Sequence, residues 1–352
     1  MAESDSDLPV DFVTLGMFII DDIHPAPTAA SQTPHLNIPG GAGTYAALGA
    51  RLLSPPPTSK NLTWLIDAGP DFPASLRHSL ATWQTHAVFR PRRDPTTRGW
   101  NGYTNAHHRE FKYLTPKNRL TADDLTPAML GAKSIHLICS ATRLITEVTG
   151  ILSRRKGLSR REEDVVGRPW VIWEPVPDLA TPEELAKTCE ALAYVDVVSP
   201  NHEELGALFG VAAQVSDGEG DVNKDVVEEL AGRLLERGVG SEGRGAVVVR
   251  AGREGCYILS TRLSCWLPAY HTNPAKVIDP TGGGNGFLGG LAVGLVRTQG
   301  DVVEAARWGS VAASFCIEQV GVPELDVENG QGDRWNGVSV VERLDEFRRR
   351  TV

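Results

Sequence analysis

The segment VIDPTGGGNGFLGGLAVGLV carries residue types that can hold a phosphate group. A strand is predicted to end at Val277–Ile278, and it leads through Asp279-Pro280-Thr281 into three glycines and an apolar helix. The glycines are Gly282, Gly283 and Gly284. Glycines at a helix entrance leave backbone N–H groups uncovered at the positive end of the helix dipole, which suits a phosphoryl group. The same glycines also fit a tight strand-to-helix turn with close helix packing.

Three common catalytic or nucleotide-binding motifs are absent from the sequence. The chain has no Walker A spacing, no GxSxG and no GxGxxG in register after a strand, which argues against P-loop enzymes, serine hydrolases and dinucleotide-binding dehydrogenases. The adjacent pair His107–His108 would point to opposite faces of a strand, and no nearby Cys or His completes a metal site. The five cysteines lie far apart without CxxC spacing, so neither a disulfide framework nor a zinc site is expected.

Short apolar runs alternate with helix-like stretches along the chain. Predicted strands are Phe12–Ile20, Leu62–Asp67, Ser134–Cys139, Trp170–Trp173, Val195–Ser199, Ala246–Val249 and Cys256–Leu259. Predicted helices include Ala42–Leu53, Asp71–Trp83, Pro182–Ala193, Glu203–Leu208, Asp225–Glu236, Gly284–Arg297 and Val302–Glu318. This alternation predicts a parallel sheet covered on both faces, with ligands beyond the carboxyl ends of the strands. The charge-dense segment Arg154–Arg168 is predicted to be a solvated loop.

Composition limits the classes of protein that fit. The chain has 352 residues and a net charge of −9, which argues against a protein that coats nucleic acid. No apolar stretch approaches the ~20 residues of a membrane helix. The acidic N-terminus lacks the basic and apolar regions of a secretory signal. We therefore expect a cytoplasmic protein that binds neither nucleic acid nor membranes, as a monomer or a homodimer.

Six segments in a fixed order resemble the ribokinase-like (PfkB) carbohydrate kinase family. In chain order they are VTLGMFIID ending at Asp21, GGAGTYAALGARLL with the di-glycine Gly40-Gly41, SPNHEEL with Asn201 and Glu204, VVVRAGREGCYIL with Gly252 and Gly255, DPTGGGN, and AASFCIEQVGVPE. They cover roughly residues 11 to 325. DPTGGGN with the segment EPVPD is similar to a fungal branch of this superfamily, the maintenance-of-killer type.

The resemblance implies an α/β fold, a ribokinase-like three-layer α/β/α sandwich with a mostly parallel central sheet and a small β lid. The domain would span residues 11–325, with lid elements at about 22–38 and 96–114. An acidic tail over residues 1–10 and a C-terminal loop and helix over residues 326–352 would flank it.

The resemblance also assigns roles to residues. In that family ATP phosphorylates a hydroxyl group of a sugar, a nucleoside or a related small molecule, with Mg2+ and in some members a monovalent cation. The implied positions are the anion hole at Gly282, Gly283 and Gly284, with Asp279 in the same motif; the nucleotide site at Asn201, Glu204, Arg250, Gly252, Gly255 and Thr281; and the acceptor site at Asp21, Gly40, Gly41 and Tyr45. Asn201 and Glu204 would hold Mg2+ through water.

The chain departs from the family at the base position, which holds Asn285 in place of an aspartate. An amide cannot accept the proton of the acceptor hydroxyl, and loss of a general base typically costs ~10²–10⁴ in rate. Because phosphoryl transfer depends mostly on positioning and charge, activity need not vanish. Asp279 either substitutes as the base or supports the loop.

Four further residues leave alternatives open. Tyr45 stands where the family usually has a sugar-binding asparagine, and it either stacks on an acceptor ring or packs against the lid. Arg250 replaces the usual threonine, and it either grips a phosphate or pairs with a surface carboxylate. Glu174 and Asp178 either help to hold Mg2+ through water or cap the following turn.

This pattern supports two functions and leaves a third interpretation open. The first is a slow or atypical ATP-dependent phosphotransferase acting on a small-molecule hydroxyl. The second is a catalytically silent pseudokinase that binds nucleotide or metabolite and has a regulatory or structural output. In the third reading the fold is a scaffold that no longer binds ATP.

Overall fold

The computed structural model describes residues 9–25, 32–103, 109–158, 167–216, 221–326 and 332–351. Most of the predicted acidic tail, part of the first lid segment and the pair His107–His108 lie outside these residues. The α-helices are α1 (Ala42–Leu52), α2 (Ala74–Thr82), α3 (Pro127–Leu130), α4 (Ala141–Lys156), α5 (Leu185–Ala191), α6 (His202–Leu208), α7 (Ala212–Val215), α8 (Lys224–Leu235), α9 (Gly283–Arg297), α10 (Val302–Cys316) and α11 (Val340–Arg350).

The strands belong to three sheets. They are β1 (Phe12–Thr14), β2 (Ile19–Ile23), β3 (His35–Gly40), β4 (Leu62–Ala68), β5 (His86–Pro91), β6 (Arg98–Tyr103), β7 (Arg109–Tyr113), β8 (Ser134–Cys139), β9 (Trp170–Pro175), β10 (Val197–Val198), β11 (Ala246–Arg250), β12 (Cys256–Ser260), β13 (Leu263–Leu267), β14 (Leu325–Asp326), β15 (Arg334–Trp335) and β16 (Val338–Ser339). Strands β14 to β16 form a small sheet next to α11 in the chain.

The central sheet has nine strands in the order β13-β12-β11-β10-β9-β8-β1-β4-β5. All neighbours from β11 to β5 are parallel, and β12 and β13 are antiparallel at one edge. Successive residues of a strand point to opposite faces, and Phe12 and Val13 accordingly enter two different apolar clusters. Helices therefore cover both faces, which confirms the predicted three-layer sandwich. Within the described residues, no helix has both the length and the apolar character needed to cross a bilayer.

A four-stranded sheet, in the order β3-β2-β6-β7, forms the predicted lid. The first predicted lid segment supplies β3 and the end of β2, and the second supplies β6 and β7. Strand β2 lies in the interior of this sheet, antiparallel to β3 and parallel to β6. The lid is therefore continuous through β2 with the chain that leaves β1.

Three local predictions were wrong. The predicted strand Phe12–Ile20 is interrupted after Thr14, because the chain at Gly16 passes so close to the start of α1 that a side chain there would overlap its backbone. Val277–Ile278 is an exposed loop that follows a short turn starting at a proline. The prediction of a solvated loop over Arg154–Arg168 was wrong at its start, which lies inside α4 with Arg155 buried and its guanidinium donating to a backbone carbonyl group; residues 159–166 lie outside the described residues.

Helices α1 and α9 pack at backbone contact. A methyl group at Gly289 would overlap the carbonyl group of Ala46, and one at Gly49 would overlap the backbone of Gly286. Only glycine permits such an approach at these positions. The contact fixes the start of α9 against α1, and both helices carry predicted site residues.

We therefore predict that Gly289→Ala destabilises the protein by about 1–3 kcal/mol, the usual cost of overpacking a core. Gly232→Ala is the matched control, because Gly232 lies within α8 and a methyl group there would meet no atom within 4 Å. This control should leave stability unchanged or raise it by about 0.5–1 kcal/mol, the helix propensity gain of alanine. Urea unfolding measures both variants. Equal unfolding free energies for Gly289→Ala and Gly232→Ala would contradict the close contact between α1 and α9.

Candidate functional site

Glu174 lies at the centre of the candidate site, at the carboxyl end of β9. Its side chain is buried, and Nη2 of Arg250 lies 2.8 Å from its Oε1. The side-chain amide of Asn285 donates to Oε2 at 3.1 Å, and Nε2 of His136 lies 3.8 Å from the same oxygen. Burial alone would raise the pKa of Glu174, but Arg250 and His136 outweigh it and hold the pKa below its usual value. Glu174 is therefore a charged carboxylate that pairs with Arg250 and accepts a hydrogen bond from Asn285.

His136 reaches this cluster from the middle of β8. Its ring is fully buried, and Nδ1 lies 2.9 Å from Oγ1 of Thr14. That hydroxyl oxygen accepts the N–H of Gly16 at 2.9 Å, at the point where the chain leaves the sheet. Sequence reasoning did not select His136, although it is a polar residue within an otherwise mostly apolar strand, SIHLIC. Its contacts orient the ring toward Glu174.

Arg250, the last residue of β11, lies between two carboxylates. Its Nη2 donates to the carbonyl oxygen of Ser199 at 3.0 Å and lies 3.4 Å from Oε2 of Glu204, in addition to its contact with Glu174. Its Nε is buried without a hydrogen-bond partner among the described residues. The predicted alternative of a surface carboxylate was wrong, because both carboxylates are buried. The parallel strands bring these side chains together at their carboxyl ends, as the sequence indicated.

Asn201 and Glu204 close the first turn of α6 in a capping box. The N–H of Asn201 donates to Oε2 of Glu204 at 2.8 Å, and the N–H of Glu204 donates to Oδ1 of Asn201 at 2.7 Å. Burial raises the pKa of Glu204 to about 7 against the lowering effect of Arg250, and the charge of Glu174 adds to the rise. The same two residues that the resemblance assigns to Mg2+ thus also start a helix.

The glycine turn begins at Asp279, whose Oδ1 accepts the N–H and the hydroxyl of Thr281 at 3.0 and 2.5 Å. Gly282 has φ of 80°, a left-handed conformation that favours glycine, and α9 starts immediately after it. We call the turn and first helical residues, Gly282–Gly284, the cradle. The N–H of Gly283 donates to the carbonyl oxygen of Pro280 at 3.2 Å. The N–H groups that follow in the first turn have no partner within the helix, and they are the ones that an anion at the cradle could meet.

Two side chains lie directly against the cradle. A methyl group at Gly282 would overlap the ring of Tyr45, and one at Gly284 would overlap Nη1 of Arg250. Tyr45 is buried on α1. Its ring therefore packs on the cradle, a position that neither alternative for this tyrosine anticipated.

The lid holds the remaining predicted acceptor residues. Asp21 on β2 is buried, and side chains at Gly40 or Gly99 would overlap its carboxylate. Gly41, with φ of 81°, begins α1. These glycines therefore make room for the carboxylate and for the sharp turn into the helix.

The predicted nucleotide-site glycines lie in the turn that follows β11. Gly252 and Gly255 have positive φ in the turn between β11 and β12, just after Arg250. Asp178 is exposed in a short helical turn after β9 and does not join Glu174. The structure thus brings together the cradle, Arg250 and Glu174, with Asn201 linked through Glu204.

A resident divalent cation does not fit this arrangement. Among the described residues, no group of three or more His, Cys, Asp or Glu side chains could hold a metal ion. Asn201 and Glu204 direct side-chain oxygen atoms at each other's backbone, and the space between Glu174 and Glu204 already holds the guanidinium of Arg250.

Comparisons with known proteins agree with the fold and the motifs. Residues 175–328 match the pfkB family of carbohydrate kinases. An uncharacterized protein of Schizosaccharomyces pombe is 35% identical over 356 residues, covering 96% of this chain and 92% of its own. Protein MAK32 of Saccharomyces cerevisiae is 33% identical over 350 residues, covering 94% and 90%. The structure of Arabidopsis thaliana ribokinase complexed with ribose and ATP is similar with a TM-score of 0.62 at 18% identity, covering 96% of this chain and 99% of that chain.

We predict that the charge of Glu204 makes folding stability fall as pH rises. The folded pKa of about 7 exceeds the ordinary value of 4.5, so the folded state binds more protons than the unfolded state between these values. Glu204→Gln keeps a residue suited to the capping box and should flatten the decline in unfolding free energy between about pH 5 and pH 8.

The exposed neighbour Glu203, on the same helical turn, supplies the control. Glu203→Gln should keep most of the wild-type pH dependence in denaturant titrations at each pH, because burial raises the pKa of Glu204 more than the charge of Glu203 does. An unchanged slope in Glu204→Gln would show that Glu204 does not titrate in this range.

Proposed function

The chain belongs to the pfkB family of carbohydrate kinases, in a branch with Protein MAK32, and from this we propose that it is a nucleotide-binding pseudokinase of that family. It binds ATP at the cradle, and its phosphoryl transfer to a hydroxyl acceptor is silenced on the acceptor side.

The cradle supports the nucleotide-binding half of this proposal. Three glycines stand at the start of α9, a largely buried helix of 15 residues, where the helix dipole favours an anion and the N–H groups that follow Gly283 could donate to it. The ribokinase of Arabidopsis thaliana, which shares the fold, is complexed with ATP. A nucleoside triphosphate is the ligand that this combination favours.

The hydrogen bond from Asn285 to Glu174 is the observation that supports the loss of phosphoryl transfer. Nδ2 of Asn285 donates to the carboxylate at 3.1 Å, so the group at the base position is a donor and not a proton acceptor. Its Oδ1 is buried without a hydrogen-bond partner among the described residues. An amide oxygen is far too weak a base for the proton of an alcohol.

Neither Glu174 nor Asp279 is suited to replace the base. Glu174 is engaged by Arg250 and Asn285, and its lowered pKa makes it a weak proton acceptor. Oδ1 of Asp279 accepts two hydrogen bonds from Thr281, which favours the loop-supporting role over substitution. The ring of Tyr45, at a position that the resemblance assigns to the acceptor site, packs against Gly282.

A slow phosphotransferase is the second candidate, and Asp21 is the observation that favours it. This buried carboxylate stands where the resemblance places the acceptor hydroxyl groups, with glycines clearing the space around it. Phosphoryl transfer depends mainly on positioning and charge, so a bound acceptor could still react at a low rate.

Calorimetric titration of ATP into the purified chain tests the proposal first. We expect micromolar binding without ADP formation in the presence of sugars, nucleosides and polyols. Absence of binding would overturn both nucleotide-dependent functions. ADP formation that depends on one acceptor would favour the second candidate.

Restoring the base with Asn285→Asp separates the two candidates further. The new carboxylate would lie beside Glu174, and two like charges at this distance raise the pKa of one of them. We therefore expect a variant that is less stable at neutral pH, regains stability as pH falls, and still forms ADP at background rate. A gain of about 10²-fold or more with any acceptor would mean that only the base was missing.

Two variants control this experiment. Asn223→Asp makes the same charge change at the N-cap of α8, where asparagine and aspartate are equally suited, and should behave as wild type. The double variant Glu174→Gln/Asn285→Asp removes the repulsion between the two carboxylates. It therefore tests the new aspartate as a base without that repulsion. A silent double variant would support the pseudokinase assignment.

A further inference from the structure

Three oxygen atoms surround Nη2 of Arg250. They are Oε1 of Glu174 at 2.8 Å, the carbonyl oxygen of Ser199 at 3.0 Å and Oε2 of Glu204 at 3.4 Å. Carboxylate and carbonyl oxygens are also the ligands that Mg2+ and Mn2+ prefer. The guanidinium nitrogen therefore occupies a position where oxygen ligands converge.

We propose that Arg250 is the resident cation of the nucleotide site, so that this chain binds nucleotide phosphate without a divalent metal ion. The nucleotide part of this statement rests on the proposed function. The cation part stands on the contacts of Arg250 alone and can be tested without nucleotide.

Charge balance requires a cation at this point. Glu174 and Glu204 are both buried, and two buried carboxylates that share one partner repel each other strongly once it is removed. Arg250 supplies one positive charge that remains at every physiological pH, because a guanidinium does not lose its proton. A chain without this arginine would need a bound metal ion or a proton to keep the same fold.

The position of Nη1 links the arginine to the cradle. Nη1 lies so close to Gly284 that a side chain at that residue would overlap it. A guanidinium carries five N–H donors in a fixed plane and binds phosphate oxygens well. While Nη2 is held by the carboxylates, Nη1 remains beside the N–H groups at the start of α9, and an anion at the cradle would meet both.

Manganese binding without nucleotide tests the cation part directly. Mn2+ is titrated into the chain, and free Mn2+ is followed by electron paramagnetic resonance. Wild type should bind none stoichiometrically, whereas Arg250→Thr should gain one site per chain. Arg250→Lys, which keeps the charge, should gain none. Arg250→Thr/Glu204→Gln should bind Mn2+ more weakly by about tenfold or more, because one ligand is lost.

A folding measurement accompanies the titration, because Arg250→Thr leaves two buried carboxylates without a cation. Mn2+ should raise the Tm of this variant and leave that of wild type unchanged. Stoichiometric Mn2+ binding by wild type would overturn the proposal, and so would a folded Arg250→Thr that binds no Mn2+. If Arg250→Thr fails to fold even with Mn2+, the titration of wild type and the comparison below decide.

The nucleotide part is tested by titrating wild type with ATP in EDTA and again in excess Mg2+. We expect the same Kd in both conditions, and a dependence on Mg2+ in Arg250→Thr. Wild-type binding that disappears in EDTA would overturn metal-independent binding. Failure of wild type to bind ATP in either condition would refute the proposed function, while the Mn2+ result would still decide the role of Arg250 as the resident cation.

Discussion

The charge on Glu174 is the constraint on which the rest of the site depends. A buried carboxylate that stays ionised needs donors and an opposite charge, and this one receives them from Arg250 and Asn285. An aspartate at position 285 would replace a donor with a second negative charge 3.1 Å away. The arginine and the asparagine, which look like separate departures in the sequence, are therefore complementary to the same glutamate.

The cradle glycines have a steric reason that is independent of any ligand. Gly282 adopts φ of 80° and touches the ring of Tyr45, while Gly284 touches Arg250. A side chain at either position would displace the tyrosine or the arginine. Glycine-rich sequence alone therefore cannot tell an anion site from a packed turn, and here the same residues meet both requirements.

Much of the fold could be predicted from the sequence because it follows from local patterns. Apolar strands alternating with helices specify the sandwich, and the order of short motifs specifies the family. The interruption after Thr14 could not be foreseen, because it depends on the contact of Gly16 with α1, about 27 residues later. Likewise, Arg155 appears within a charged run, yet backbone carbonyl groups from distant segments bury it.

In the candidate site, too, local contacts could be predicted from the sequence and long-range contacts could not. The bonds of Asp279 to Thr281 and of Asn201 to Glu204 span two and three residues, and their motifs are visible in the sequence. The bond between Glu174 and Asn285 spans 111 residues. Its existence depends on the order of strands in the sheet, which the sequence does not state. The sequence consequently leaves the partner of Arg250 open between a phosphate and a surface carboxylate, whereas the structure pairs this arginine with the buried carboxylates of Glu174 and Glu204.

Stability alone does not account for the cluster of Glu174, Glu204 and Arg250. Apolar residues of similar volume often stabilise a protein as well as a buried ion pair or better, whereas removing one partner costs about 3–5 kcal/mol. A fold that needed only packing at this edge could therefore use apolar side chains. The cluster instead lies where three neighbouring parallel strands, β9, β10 and β11, end, beside the first turn of α9. Charge at that point acts on any anion in the cradle. We therefore interpret the cluster as the part of a binding site that sets its electrostatic potential.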